Sequence, residues 1–317
     1  MYKFDQDTIQ VGISACLIGQ QVRFDGGHKQ SRFCVDDLGK YVSFRPICPE
    51  VAIGMGVPRP TIRLVQEEII RVKASDNSFD VTDKLTNFAK ETSPGLAGLS
   101  GYVFCAKSPT CGMERVSVYL PEKNNASRDG VGVFADRVMK DHPNLPVEEN
   151  GRLNDPNLRE NFVTRVFAYH DWRSKCAEGL TLDVLYKFHA RYKYLLMAHN
   201  PEIYRTLGQA LGQIEKVTPE FQAHYESELM KALKRHASRK NHTNVLQHIQ
   251  GYFKKQLGST ERQALAESID KYRTGLLPLL APITLLRHYL TIYPNEYIAG
   301  QVYLNPHPEE MQLRYEH

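Results

Sequence analysis

Residues 101–112 read GYVFCAKSPTCG. A short apolar run is followed by Lys-Ser-Pro and then a cysteine beside a glycine. Such a run, bounded by Pro and Gly, has the pattern of a buried strand that ends in a tight turn. The order recurs twice upstream. Residues 9–15 (IQVGISA) are an apolar run, and Cys16 follows at once. Residues 41–47 (YVSFRPI) alternate like a strand, and Cys48 opens Cys-Pro-Glu. Between the runs, residues 31–41 suit a short helix, and 61–65 with 68–72 form a strand pair around a turn. Residues 82–92 (TDKLTNFAKET) are an amphipathic helix, and 132–141 and 158–173 are helical by apolar spacing. This alternation predicts an α/β domain with a mostly parallel sheet.

The texture changes further on. Thr181 is suited to cap a long helix, LDVLYKFHARYKYLLMAH, whose apolar positions follow 3.6-residue spacing. Asn200-Pro201 ends it and starts the next helix, with Pro at the first helical position. Thr218-Pro219 and Ser259 open further helices. No strand alternation occurs between 183 and 290, so an all-α helical bundle is predicted. The boundary falls in the polar stretch 174–182, giving domains 1–175 and 176–317. The Pro-rich tail from 301 onward is read as an irregular extension.

The 317 residues suffice for two domains, and the mean hydropathy of −0.43 is ordinary for a soluble protein. No stretch of 18 apolar residues is present, so no membrane span is expected. The start lacks a basic segment followed by an apolar one, and a cytoplasmic location is expected. Cytosolic thiols stay reduced, so the six cysteines are read as thiols. The net charge of +4 is uneven: residues 1–182 balance 23 basic against 23 acidic, and 183–317 hold 17 against 13. Residues 231–255 carry seven Lys/Arg, three His and no acid. Lys231, Lys234, Arg235, Arg239, Lys240, Lys254 and Lys255 are therefore candidate phosphate contacts for RNA. A solvated helix face is the plainer reading of the same run. Oligomeric state is not set by anything in the sequence.

Cys16, Cys48 and Cys111 each lie just past the carboxyl end of an apolar strand. In a parallel sheet those ends converge, and ligands bind there. Three loops far apart in sequence can thus bring three thiolates together. Structural zinc takes four ligands, whereas three thiolates with an open position suit a [4Fe–4S] cluster. Glu50 and Ser108 flank two of these cysteines, as a candidate acid/base and a candidate hydroxyl relay. Arg23 and Arg59 are candidates to meet a base or phosphate, with Phe24 and Arg63 nearby. The plainer alternatives are small apolar fillers for the cysteines, a helix-start charge for Glu50 and a Ser-Pro turn for Ser108. Cys105, inside the strand run, is read as a core hydrophobe.

SACLIGQQVRFDG (14–26), CPEVAIGMGVPRP (48–60) and KSPTCG (107–112) together resemble the thiouracil desulfidase family over about the first 150 residues. The resemblance implies a [4Fe–4S] cluster on Cys16, Cys48 and Cys111, with Glu50 and Ser108 catalytic. FHARYKYLLMAHNPEIYRTLG (188–208) and HTNVLQHIQGYFKK (242–255) resemble a helical domain found fused to such enzymes. The fused arrangement resembles bacterial tRNA 4-thiouridine desulfidases. It implies non-redox hydrolytic conversion of 4-thiouridine in tRNA to uridine, with sulfide taken by an open iron. Alternatives are desulfidation of free thiouracil or 4-thio-nucleotides, a non-enzymatic iron–sulfur redox sensor that binds nucleic acid, and a zinc hydrolase.

Overall fold

The computed structural model describes residues 9–121 and 123–314. Residues 1–8, from which the absence of a leader was read, and the last three residues of the tail lie outside them. The chain divides into two compact units, Met1–Asp155 and Pro156–His317. Among the described residues, no helix is long and apolar enough to cross a membrane.

The first unit holds strands β1 (Gln10–Ser14), β2 (Ser43–Ile47), β3 (Ile62–Gln66), β4 (Ile70–Ala74), β5 (Gly101–Phe104), β6 (Val116–Leu120), β7 (Lys123–Gly130) and β8 (Val147–Glu149). One sheet has the order β2-β1-β5-β8, and all its pairings are parallel. Its central strands show why: β5 is buried at every position and β1 at four of five, as strands covered on both faces must be. The chain leaves β1 for β2 on one side and returns as β5 on the other. The carboxyl ends of β1 and β5 therefore border a topological switch point, where parallel sheets open a crevice. Helices α1 (Pro49–Ala52), α2 (Thr82–Thr92) and α3 (Val133–Asp141) complete the unit.

A second sheet, β4-β3-β6-β7, was not anticipated. It is mixed, since β3 pairs antiparallel with β4 and parallel with β6, and β6 pairs antiparallel with β7. The mostly parallel expectation therefore holds for one sheet of two. The β6–β7 hairpin escaped notice because residues 125–129 of β7 are exposed and polar, so no apolar alternation marks them.

The second unit is helical: α4 (Pro156–Ala177), α5 (Leu182–His199), α6 (Pro201–Leu211), α7 (Pro219–Lys234), α8 (Arg239–Tyr252), α9 (Ser259–Arg273), α10 (Leu280–Ile292) and α11 (Glu296–Ala299). Thr181, Asn200 and Thr218 cap their helices through side-chain oxygens, as their sequence positions predicted. At α9 the cap is Gly258 rather than Ser259, and its N–H donates to Glu261 at 2.8 Å. The division after Asp155 departs from the expected boundary at 175/176. Helix α4 puts Ala168 and Trp172 into the core of the helical unit. There Trp172 stacks on Tyr225 with ring centroids 4.8 Å apart. The polar stretch at 174–182 is the end of α4, a turn over 178–181 and the first residue of α5, all within that unit.

Candidate functional site

Cys16 sits in the short helix Ala15–Ile18 directly after β1. Cys48 follows β2 and is the N-cap of α1, with Pro49 at the first helical position. Cys111 lies in the turn between β5 and β6. All three line one cavity of about 320 Å³, together with Glu50, Ser108, Arg23 and Arg59. The Cys111 turn is clamped from outside. A Cβ on Gly132 would stand 2.5 Å from the Thr110 carbonyl carbon and 2.7 Å from the Cys111 nitrogen, so only glycine allows that approach.

Two hydroxyls join Glu50 to the Cys111 turn. Thr110 donates from Oγ1 to Glu50 Oε1 at 2.5 Å. Its single proton is thereby used, so the 2.9 Å contact between the two hydroxyls has Ser108 as donor and Thr110 as acceptor. Ser108 Oγ in turn accepts the backbone N–H of Thr110 at 3.2 Å and of Cys111 at 3.1 Å. The result is a directed chain from Ser108 through Thr110 to Glu50.

On the other side, Arg59 donates to Glu50 Oε2 through Nε at 2.9 Å and Nη2 at 2.5 Å. Arg59 also donates to the carbonyls of Val22 and Gly56. Its side chain is 5% exposed and that of Glu50 14%, so the pair is largely withdrawn from water. Arg59 was a candidate substrate contact; it is instead committed to orienting Glu50. Arg23 remains at the cavity, 28% exposed and over the ring of half-exposed Phe24. Arg63 lies elsewhere, over Tyr119 on the mixed sheet.

Thr110 and Cys105 were missed as site residues. Thr110 lies between two residues that the sequence did single out, and its alternation with Ser108 in the turn was the available signal. Cys105 is buried, as the strand pattern implies, and it also lines the cavity. Its N–H donates to Ser14 Oγ at 3.0 Å, and its sulfur hydrogen-bonds Cys16.

The thiols bear on what the cavity can hold. Cys16 is pushed up by its hydrogen bond to Cys105, then by burial and the neighbouring thiols. Burial likewise raises Cys48 and Cys111, and for Cys111 nearby Cys105 and Glu50 add to it. Cys105 goes the other way, to about 7, because it accepts the Cys16 hydrogen bond. Thiols so placed ionise when a cationic group binds among them. Among the described residues, no three His, Cys, Asp or Glu side chains gather tightly enough to hold a single metal ion. Thiols that line one cavity of about 320 Å³ without converging on a single ion fit a cluster with volume of its own better than one ion.

The basic residues of 231–255 are all exposed, on or beside α7 and α8. Lys231 pairs with Glu228 at 2.9 Å. Arg239 is distinct: its Nη1 donates to the Tyr272 carbonyl at 2.5 Å, and its guanidinium lies over the Tyr272 ring. Tyr192 and Tyr194 are buried in the core.

The uncharacterized protein YbgA of Escherichia coli (strain K12) is 36% identical over 165 residues, covering 51% of this chain and 98% of that protein. The chain belongs to the YbgA family. Within this YbgA-family chain, residues 193–308 match a model described as a protein of unknown function (DUF1722). Residues 11–150 match the model of 2-thiouracil desulfurase. Every residue of the cavity network, from Cys16 to Cys111, falls within the latter match. Among solved structures, a [4Fe-4S]-dependent thiouracil desulfidase, TudS, shares 28% identity at a TM-score of 0.38, across 46% of this chain and 93% of that one.

Proposed function

We propose that this YbgA-family chain removes sulfur from 4-thiouridine in tRNA, yielding uridine, with a [4Fe–4S] cluster held by Cys16, Cys48 and Cys111. The observation that carries the reading is the sharing of one cavity by these thiols and the Ser108–Thr110–Glu50 chain, inside a match to 2-thiouracil desulfurase. When bound, the cluster supplies a Lewis-acidic iron with an open position for the thione sulfur.

The protein's own residues do the rest. Arg59 fixes the Glu50 carboxylate by direct donation to Oε2. Glu50 serves as the general base that draws a proton from an attacking water. Ser108 faces the cavity and communicates with Glu50 only through Thr110, so a proton released at Ser108 can pass to the carboxylate along existing hydrogen bonds. Arg23 and Phe24 at the cavity offer a cation and a ring face to a nucleobase. A base within folded RNA has to be turned out of its stack to enter. The exposed basic residues of α7 and α8 supply phosphate contacts for the RNA, which makes binding weaken with salt. A cavity of about 320 Å³ also admits a free thiolated base, the second reading.

The deciding experiment is sulfide release by anaerobically reconstituted protein from tRNA carrying 4-thiouridine, beside free thiouracil and free 4-thiouridine. Release from tRNA, lost in Glu50→Gln with iron content unchanged, is expected. Release from the free compounds alone would leave the chemistry and remove the tRNA substrate. No release from any of them by iron-loaded protein would sink the enzyme reading.

A further inference from the structure

The two stretches 188–208 and 242–255, which the desulfidase chemistry leaves unused, meet at a second cavity. It also measures about 320 Å³ and is lined wholly by residues of the helical unit. His199, the last residue of α5, comes from the first stretch, and His242, in α8, opens the second. Arg239 and Tyr272 line it from α8 and α9, Glu160 from the start of α4, and Arg314 from the tail.

Among the described residues, the charges facing this space are two guanidiniums and one carboxylate. Glu160 is already matched, since Arg314 Nε donates to its Oε1 at 2.6 Å. Among the described residues, that pairing leaves the Arg239 charge uncompensated. Arg314 is 5% exposed and also donates from Nη1 to the Tyr303 carbonyl at 2.8 Å. Its Nη2 has no hydrogen-bond partner among the described residues. A buried guanidinium with an unused donor on a cavity is half of a hydrogen bond awaiting an acceptor.

The imidazoles narrow the ligand further. His199 Nδ1 lies 2.6 Å from the Arg235 carbonyl, which can only accept, so Nδ1 carries the hydrogen. In the neutral ring Nε2 is then an acceptor. His199 is 7% exposed, and burial keeps it neutral by lowering it to about 4. The cavity thus offers guanidinium donors beside an imidazole acceptor. A cation is disfavoured by the arginines, and no three potential ligands converge on an ion among the described residues. A carboxylate or sulfate is fully ionised near neutrality and has no proton for His199. A phosphate monoester has both features: its second ionisation lies near pH 6, so it presents anionic oxygens and, in part, a P–OH.

We propose that this cavity binds a phosphate monoester, its oxygens accepting from Arg239 and Arg314 and its hydroxyl donating to His199. The site does not depend on the cysteine cavity or its chemistry, because every residue in it belongs to Pro156–His317; Arg239 is the one residue it shares with the RNA contacts proposed above.

The test uses the full-length chain, free of iron, with ¹³C-labelled histidine. Inorganic phosphate, a ribonucleoside 5′-monophosphate and the parent nucleoside are titrated while the ring signals of His199 and His242 are followed. Both signals should move and saturate with phosphate and with the monophosphate, and stay fixed with the nucleoside. Arg239→Gln, on the exposed rim, should weaken the monophosphate at least about tenfold, the loss of one charge-assisted hydrogen bond. His199→Gln assigns its signal and should weaken the same ligand. The proposal is overturned if millimolar monophosphate moves neither ring, if free phosphate binds and the monoester does not, if the nucleoside acts as well as the monophosphate, or if folded Arg239→Gln binds as tightly as the parent chain.

Discussion

Thr110 donates to Glu50 at 2.5 Å while accepting from Ser108 at 2.9 Å, which makes one hydroxyl the only bridge between the two candidate catalytic groups. Neither partner has another route to the other in the described network. Ser108 spends its acceptor capacity on two backbone N–H groups of its own turn, and Glu50 Oε2 is taken by Arg59.

Replacing Thr110 by Val should therefore lower kcat about 10²-fold, at the modest end of acid–base contributions, with little change in KM. It leaves Glu50 Oε1 without its donor, at a cost of about 1–3 kcal/mol in stability. Thr110→Ser restores the hydroxyl and should recover most of the rate. Single-turnover sulfide release on iron-matched samples checks this. Full activity in Thr110→Val together with a loss in Thr110→Ser would show that packing of the methyl, not the proton path, matters.

The cysteines should separate into two classes. Cys16→Ala, Cys48→Ala and Cys111→Ala should each fail to retain iron and acid-labile sulfide after anaerobic reconstitution. Cys105→Ala should retain both, because its sulfur hydrogen-bonds Cys16 and its backbone is anchored separately on Ser14. If Cys105→Ala strips iron as fully as Cys48→Ala, Cys105 is itself a ligand.

What the sequence made legible follows from where apolar periodicity reports directly on structure. Helices α2 and α5 match their expected spans to the residue, since 3.6-residue spacing marks both and the Thr181 cap opens α5. Strands β1 and β5 were visible as apolar runs, and through them the placing of Cys16 and Cys111 at strand ends. Strand β7 was not, because residues 125–129 are exposed. Arg59 was visible as a cation, but its commitment to Glu50 depends on a loop closing across nine residues, which no periodicity records. Cys105 is buried as its pattern implies, and its place on the cavity is hidden for a related reason. Burial and lining a cavity are compatible, and a strand pattern distinguishes inside from outside, not packed from facing a void.

Gly132 supplies a steric test of the Cys111 turn. In Gly132→Ala the new methyl would meet the Thr110 carbonyl oxygen at 2.6 Å, with backbone on both sides of the contact. Relief requires shifting the turn that holds both Ser108 and Cys111. The expected cost is about 1–3 kcal/mol, with reduced iron retention. Gly98→Ala is the control, since a Cβ there meets nothing within 4 Å. Denaturant midpoints and iron content would compare the two. An unaltered Gly132→Ala protein would mean that the turn is looser than its contacts indicate.

Buried imidazoles should make the helical unit sensitive to mild acid. Burial lowers His189 to about 4, His199 to about 4 and His242 to about 3, against 6.5 for a free imidazole. Between these values the unfolded chain binds protons that the folded chain refuses. Stability therefore rises with pH across this window and is progressively lost as pH falls from 6.5 towards 4. Glu160 is also held low, but its contribution is lost only as the pH drops below the ordinary carboxylate range. The single tryptophan, Trp172, packs on Tyr225 within this unit and reports on it alone. Its fluorescence-monitored urea midpoint should fall steadily from pH 6.5 to about 4.5. His189→Gln should flatten that slope, because His189 faces Tyr204 and Tyr225 and touches neither cavity network. A midpoint constant across the window in the parent chain would show that these imidazoles are hydrated and titrate normally.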